Sequence, residues 1–266
     1  MIGRRTGFGK RGLVAASILG AVAALAADPA PEQVEAVMLA DRAAAGDAEA
    51  QSALGDRYAE GRGVAQDISQ ALEWWATAAR QGHAASLRKV GERVRSGQGV
   101  EADPAKGLAM IRKAADLGDA DALYTMGEAC AAGAGVATNA AEAAACFLRA
   151  ARAGHIAAAR CLAGHYERGE GIERSDAQAA VWYLQAAKRG DAAAQNAVGL
   201  FYAQGRGFPQ EAGTAYFWFL LAAEQGLADA QANAKSLGAQ LGFADRFRVK
   251  REVEDFLQRS RTETAE

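Results

Sequence analysis

The chain has 266 residues, with 30 basic and 32 acidic side chains and a formal charge of −2. Half the residues are hydrophobic but only 7% are aromatic, so alanine carries the apolar fraction, in a chain long enough for one or two domains with a substantial core. The charge balance argues against a polyanion-binding surface. Alanine-rich segments with four prolines and no strand-like alternation predict an all-α protein.

Residues 1–26 stand apart. Arg4, Arg5, Lys10 and Arg11 precede GLVAASILGAVAALA, an uncharged run of 15 residues ending in Ala24-Leu25-Ala26. A positive start, a short apolar run and a small-x-small end predict an export signal removed after Ala26. The competing reading is an uncleaved anchor, for which the run is short: a span needs about 20 apolar residues. The paired arginines resemble a twin-arginine signal with the spacing off by one, so Sec and twin-arginine export both stay open. Cleavage would leave 26 basic against 32 acidic residues, a charge of −6.

Residues 27–45 predict one capping helix, with Met38 and Leu39 in the positions that Trp74 and Trp75 hold further on. From Gly46 a unit recurs every 36 residues, at Gly82, Gly118, Gly154 and Gly190, with a degenerate sixth from Gly226. Each unit carries a glycine pair: Gly61/Gly63, Gly97/Gly99, Gly133/Gly135, Gly169/Gly171 and Gly205/Gly207. One such pair could suggest a phosphate cradle, which is built once between strand and helix. Five copies in helical sequence are the bends of hairpins.

Two helices are predicted per unit. In the first, Ala50, Leu54 and Tyr58 recur every four residues on one face. Gly55 sits where the second helix crosses, with counterparts at Gly91, Gly127 and Gly199. The second helix starts at capping boxes, Asp67-x-x-Gln70, Asn139-x-x-Glu142 and Ser175-x-x-Gln178, and at Pro104 after Asp103. Its aromatic pairs, Trp74/Trp75, Trp182/Tyr183 and Trp218/Phe219, follow unit and helix spacing and predict core packing.

The pattern Ala50, Leu54, Gly55, Tyr58, Gly61, Gly63, Val64, Asp67, Ala71, Trp74, Ala78, Ala79, Gly82, repeated without gaps over 46–225, resembles the Sel1-like repeat, a relative of the tetratricopeptide repeat. Val94 and Cys130 replace the tyrosine, Met110 and Cys146 the tryptophan, Ala163 the glycine and Glu211 the aspartate. The resemblance implies a right-handed α-solenoid whose first helices line a concave face. It also implies a non-catalytic adaptor or regulator, with exported bacterial members resembling envelope scaffolds or periplasmic modulators of sensor kinases. Physics adds that each unit must stack on its neighbours to bury its apolar face.

Residues 226–266 predict a degenerate repeat and a capping helix that cover the apolar AYFWFLLAA, with Phe247, Val253, Phe256 and Leu257 inward. The basic run Arg246, Arg248, Lys250, Arg251 reads as a solvated face, with an acidic partner as the alternative. His83 and His155 occupy helix-capping positions, and no His or Cys spacing predicts a metal or cofactor. Cys130, Cys146 and Cys161 read as small core residues, a Cys130–Cys146 bridge being the alternative in an oxidising compartment.

By analogy with tetratricopeptide arrays, the concave face takes the columns of Glu49, Ser52, Asp56 and Ala59. These give Arg88, Tyr124, Arg160 and Asn196 in one column and Glu92 and Glu128 in the next, the candidate partner-binding residues; arginine and tyrosine are frequent interface anchors. The resulting expectation is an exported, periplasmic, non-catalytic adaptor binding a protein or peptide. It requires no nucleic acid, cofactor or metal, and no stable membrane insertion once the signal is removed. A regulator of a sensor kinase and an enzyme-associated module recognising cell-wall or polysaccharide substrates are the alternatives.

Overall fold

The computed structural model describes residues 30–263, so the predicted export signal lies outside the described residues. Thirteen helices and no strands occur among them. Helix α1 (Pro31–Ala44) precedes five hairpins: α2 (Ala48–Glu60) with α3 (Ile68–Arg80), α4 (Ala84–Ser96) with α5 (Pro104–Asp116), α6 (Ala120–Ala132) with α7 (Ala140–Arg152), α8 (Ile156–Arg168) with α9 (Asp176–Lys188), and α10 (Ala192–Gln204) with α11 (Ala212–Glu224). Helices α12 (Ala228–Gln240) and α13 (Phe243–Glu263) complete an all-α solenoid of helix–turn–helix units. Packing divides it into two compact units, up to Ala122 and from Leu123 onward, the division falling inside α6.

The predicted capping residues start the helices. Asp67 Oδ1 accepts from the Ser69 and Gln70 amides at 2.9 and 3.0 Å. Asn139 and Ser175 accept from Glu142 and Gln178 at 3.1 and 3.2 Å. His83 and His155 cap through Nδ1, which accepts from Ser86 and Ala158. These capping boxes are completed differently from the expectation. The Asp67 amide donates to Tyr58 O at 2.9 Å, the Asn139 amide to Cys130 O at 2.9 Å and the Ser175 amide to Tyr166 O at 2.9 Å. The amide that a box would satisfy within its own helix instead ties the two helices of the hairpin together.

In the first unit α1 joins the core through Ala40 and Ala43, which pack with Leu54, Tyr58, Ala71, Trp75, Val90 and Val94. The buried member of the aromatic pair is Trp75, at 3% exposure, while Trp74 packs on the cluster's flank. Trp75 lies over Gly55, where a Cβ would stand 2.5 Å from its ring, so the predicted crossing point is real. Its Nε1–H donates to Ser52 O at 3.2 Å and Asp56 Oδ1 at 3.0 Å. Met38, in the register of Trp74, is 64% exposed; α1 covers the first hairpin with its alanines.

In the second unit Phe147 and Phe219 lie over Gly127 and Gly199 in the same manner. Helix α11 buries Ala215, Tyr216, Trp218, Phe219, Leu221 and Ala222, as its apolar circumference predicts. Val249 and Val253 of α13 are buried, and Phe256 meets Phe217 edge-on at 5.8 Å. Phe247 departs from the expectation: it is 59% exposed. It precedes Val249 by two positions, about 200° round the helix, and so faces away from the stripe that α11 covers. No helix among the described residues is long and apolar enough to cross a membrane.

Candidate partner-binding face

The first helix of every hairpin carries the columns singled out in the sequence, and each compact unit holds its own part of them. In the first unit Arg88 is nearly enclosed. Its Nε donates to Asp119 Oδ1 and one terminal nitrogen to Glu92 Oε1, while the other terminal nitrogen forms an ion pair with Asp121 Oδ2, each at 2.9 Å. Asp119 in turn caps the next helix by accepting from the Ala122 amide at 2.7 Å. Arg88 and Glu92 are thus brought together, in a network that ties α4 to the cap and first residues of α6.

The second unit repeats this device at Arg160 and varies it at Tyr124. Arg160 Nε reaches Asp191 Oδ2 at 3.1 Å, and Asp191 caps α10 through the Ala194 amide. Tyr124 stacks on His155 with ring centroids 4.4 Å apart, and its hydroxyl donates to Glu128 Oε1 at 2.5 Å. Burial, then the Glu128 hydrogen bond, push the Tyr124 phenol above its usual range. Asn196 turns elsewhere, accepting from Asn233 Nδ2 at 2.9 Å.

Between these helices lies a cleft of about 480 Å³. Glu128 and Arg160 stand at it, Phe147 and Tyr183 wall it, and Cys161, Gly164, Ala193 and Ala197 form its small-residue surface. The cleft exists because Gly164 occupies the column of Glu92, Glu128 and Leu200, removing a long side chain from the middle of the face. His165 is buried and donates from Nδ1 to Glu170 O at 2.7 Å. Arg168 is held by Glu170 through Nε and a terminal nitrogen at 2.7 and 3.0 Å. Burial pushes the Cys161 thiol up, which favours the protonated, weakly nucleophilic form. No disulfide joins the three cysteines, and no His, Cys, Asp and Glu group among the described residues is placed to hold a metal ion.

The arrangement suits recognition. Arg160, with 37% of its side chain exposed, keeps donors available for a carboxylate or a peptide carbonyl, and Glu128 offers an acceptor beside it. Of the residues lining the cleft, Arg160 and Glu128 were named as candidates from the sequence and Gly164, Cys161 and Arg168 were not; the glycine in a glutamate column was the available signal. Sequence reasoning placed His155 at a cap but missed that the caps Asp119, His155 and Asp191 are the partners of Arg88, Tyr124 and Arg160, 31 residues before them.

A family model for the Sel1 repeat matches residues 48–83, 84–119, 120–155, 157–191 and 192–227. The fold is similar to a Sel1 repeat protein from Oxalobacter formigenes, with 27% identity, TM-score 0.70, and coverage of 91% of this chain and 98% of that one. It is also similar to c5321, a protective antigen of uropathogenic Escherichia coli strains displaying an SLR fold, at 31% identity and TM-score 0.70. That match covers 82% of this chain but only 48% of the antigen. No curated protein matches the chain. Sel1 arrays generally mediate protein–protein interaction and are typically non-catalytic scaffolds. With five in-register repeats over most of its described length, the chain belongs to the Sel1 repeat family.

Proposed function

We propose that the protein is a non-catalytic adaptor of the bacterial envelope that binds a protein or peptide on the face formed by the first helices of its hairpins. The observation that carries this reading is the cleft beside Arg160 and Glu128: a small-residue surface admits a partner's backbone or side chain, and a cation and an anion lining the same cleft fix its orientation. Phe147 and Tyr183 supply the apolar walls that such anchors need. The export reading adds that the mature chain begins at Ala27 or Asp28, which N-terminal mass analysis of envelope fractions checks; a membrane-held product beginning at Met1 would refute it.

The binding site is tested by filling it. The next repeat already carries Leu200 in this column, and a Cβ at Gly164 meets only the guanidinium at the far end of the Arg168 side chain, at 3.0 Å. Gly164→Leu should therefore fold normally and abolish capture of the partner identified by crosslinking in the exporting compartment. Arg160→Ala should weaken that partner's affinity by about 2 kcal/mol, the range of an interface anchor. Unchanged affinity in both variants would remove the site from this face.

A further inference from the structure

The basic run of α13 divides in the structure. Arg248 is paired with Asp245 and Glu252. Arg246 and Lys250 instead line a groove of about 460 Å³ together with Lys235 of α12. Among the described residues none of these three cations makes an ion pair, and no acid lines the groove. Phe243 and Phe247 complete it, 79% and 59% exposed, with their rings stacked at 6.5 Å. Phe243, Arg246, Phe247 and Lys250 are spaced i, i+3, i+4, i+7, so they form one stripe along about two turns. The opposite side of α13 is the one packed on α11, which leaves this stripe without a partner of its own.

We propose that the groove docks an acidic amphipathic helix of another protein. Its apolar ridge would lie between the two phenyl rings and α12, with flanking carboxylates on Lys235, Arg246 and Lys250. Two features select this occupant. A concave apolar strip about two turns long fits the helix-in-groove mode of recognition, and three unpaired cations around it call for carboxylates in register with the apolar anchors. A flat anionic bilayer fits less well, because the exposed surface of the same helix carries Asp245, Glu252, Glu254 and Asp255. This site is separate from the cleft at Gly164 and stands or falls without it.

The test uses the full chain and a labelled synthetic helix of about 14 residues, four turns, with leucines at i, i+3/i+4 spacing flanked by glutamates. Fluorescence anisotropy should show saturable binding that weakens as salt rises. Affinity should fall at least about tenfold with Lys235→Glu, Arg246→Glu and Lys250→Glu combined, and comparably with Phe243→Ala plus Phe247→Ala. Gly164→Leu should leave it unchanged. Absence of binding, or equal binding of a peptide with lysine in place of glutamate, would overturn the proposal. So would preferential binding to phosphatidylglycerol vesicles, or self-association in sedimentation that the same charge reversals abolish. Should the charge-reversed chain fail to fold, the phenylalanine pair and the salt titration of the wild type still decide.

Discussion

Gly169 and Gly171 offer a matched pair for separating two reasons why a turn keeps glycine. Both have φ of +70°, so an alanine at either position costs about 1–2 kcal/mol for the left-handed conformation. They differ in what a new Cβ would meet. At Gly169 it would lie 3.2 Å from the Arg174 Cβ, a contact that a shift of a few tenths of an ångström relieves. At Gly171 it would lie 2.1 Å from the carbonyl carbon of Ala140 and 2.2 Å from its oxygen, at the first turn of α7. Backbone cannot swing aside, so the bend must lift off the preceding hairpin. Overpacking of this kind costs about 1–3 kcal/mol more, which gives about 2–5 kcal/mol for Gly171→Ala against about 1–2 for Gly169→Ala. Gly63 and Gly207 approach Glu32 O and Asp176 O in the same way, whereas Gly99 meets the Ile68 side chain, so the backbone approach recurs at the second glycine of three of the pairs. Urea unfolding followed by far-ultraviolet circular dichroism measures the difference. Gly169→Asn should recover most of its loss, since asparagine tolerates the left-handed region, and Gly171→Asn should not. Equal losses at the two positions would refute the close-approach argument and leave φ as the sole reason for both glycines.

Other consequences follow from single side chains. Trp75→Ala should cost about 3–5 kcal/mol by opening a cavity over Gly55, and more than Trp74→Ala, because Trp75 is the buried ring; denaturant midpoints of the two variants make the comparison. Arg88→Ala should destabilise by about 1–3 kcal/mol, since it leaves Glu92, Asp119 and Asp121 without their shared donor, and thermal unfolding reads this directly. Arg206 holds Asp176 through two bonds of 3.0 Å and Glu167 through one of 2.9 Å, and the Arg206 hydrogen bond keeps the Asp176 carboxyl below its usual range. A depressed carboxyl stabilises the fold above its unfolded pKa, about 3.9, and that contribution is lost as pH falls through the folded value. Arg206→Gln should lower stability at neutral pH by about 1 kcal/mol and flatten its loss in acid, as melting temperatures across that pH range would show.

The sequence made the period, the hairpin and the caps legible because each depends on neighbours within one unit. Asp67 caps Gln70, and Gly55 faces a ring of its own hairpin. Choices between adjacent positions were harder. Trp74 and Trp75 are both aromatic and both on the inner half of α3, and the spacing alone does not say which ring lies over the glycine. Phe247 reads as core in a helix known only to follow the last repeat, because which face is buried depends on where α11 lies. The C-terminal groove was beyond reach for the same reason: Lys235 and Phe247 meet only once α12 and α13 are placed.

The candidate recognition column shows the deeper difficulty. Arg88, Tyr124 and Arg160 looked free of structural demand because they differ from repeat to repeat. Each in fact faces the capping residue of the next first helix: Arg88 meets Asp119, Tyr124 stacks on His155, and Arg160 meets Asp191. The variation tracks the cap, with a guanidinium opposite a carboxylate and a phenol opposite an imidazole. Where Leu227 has no side chain able to cap, Asn196 bonds to Asn233 instead. Variation along a repeat column therefore has two sources, matching between neighbouring hairpins and matching to a partner. They separate by exposure: Arg88, with 15% of its side chain exposed, is committed to its own array, whereas Arg160, at 37%, keeps part of its guanidinium turned to the cleft. A binding column in such an array is found by first subtracting the residues that each cap already claims.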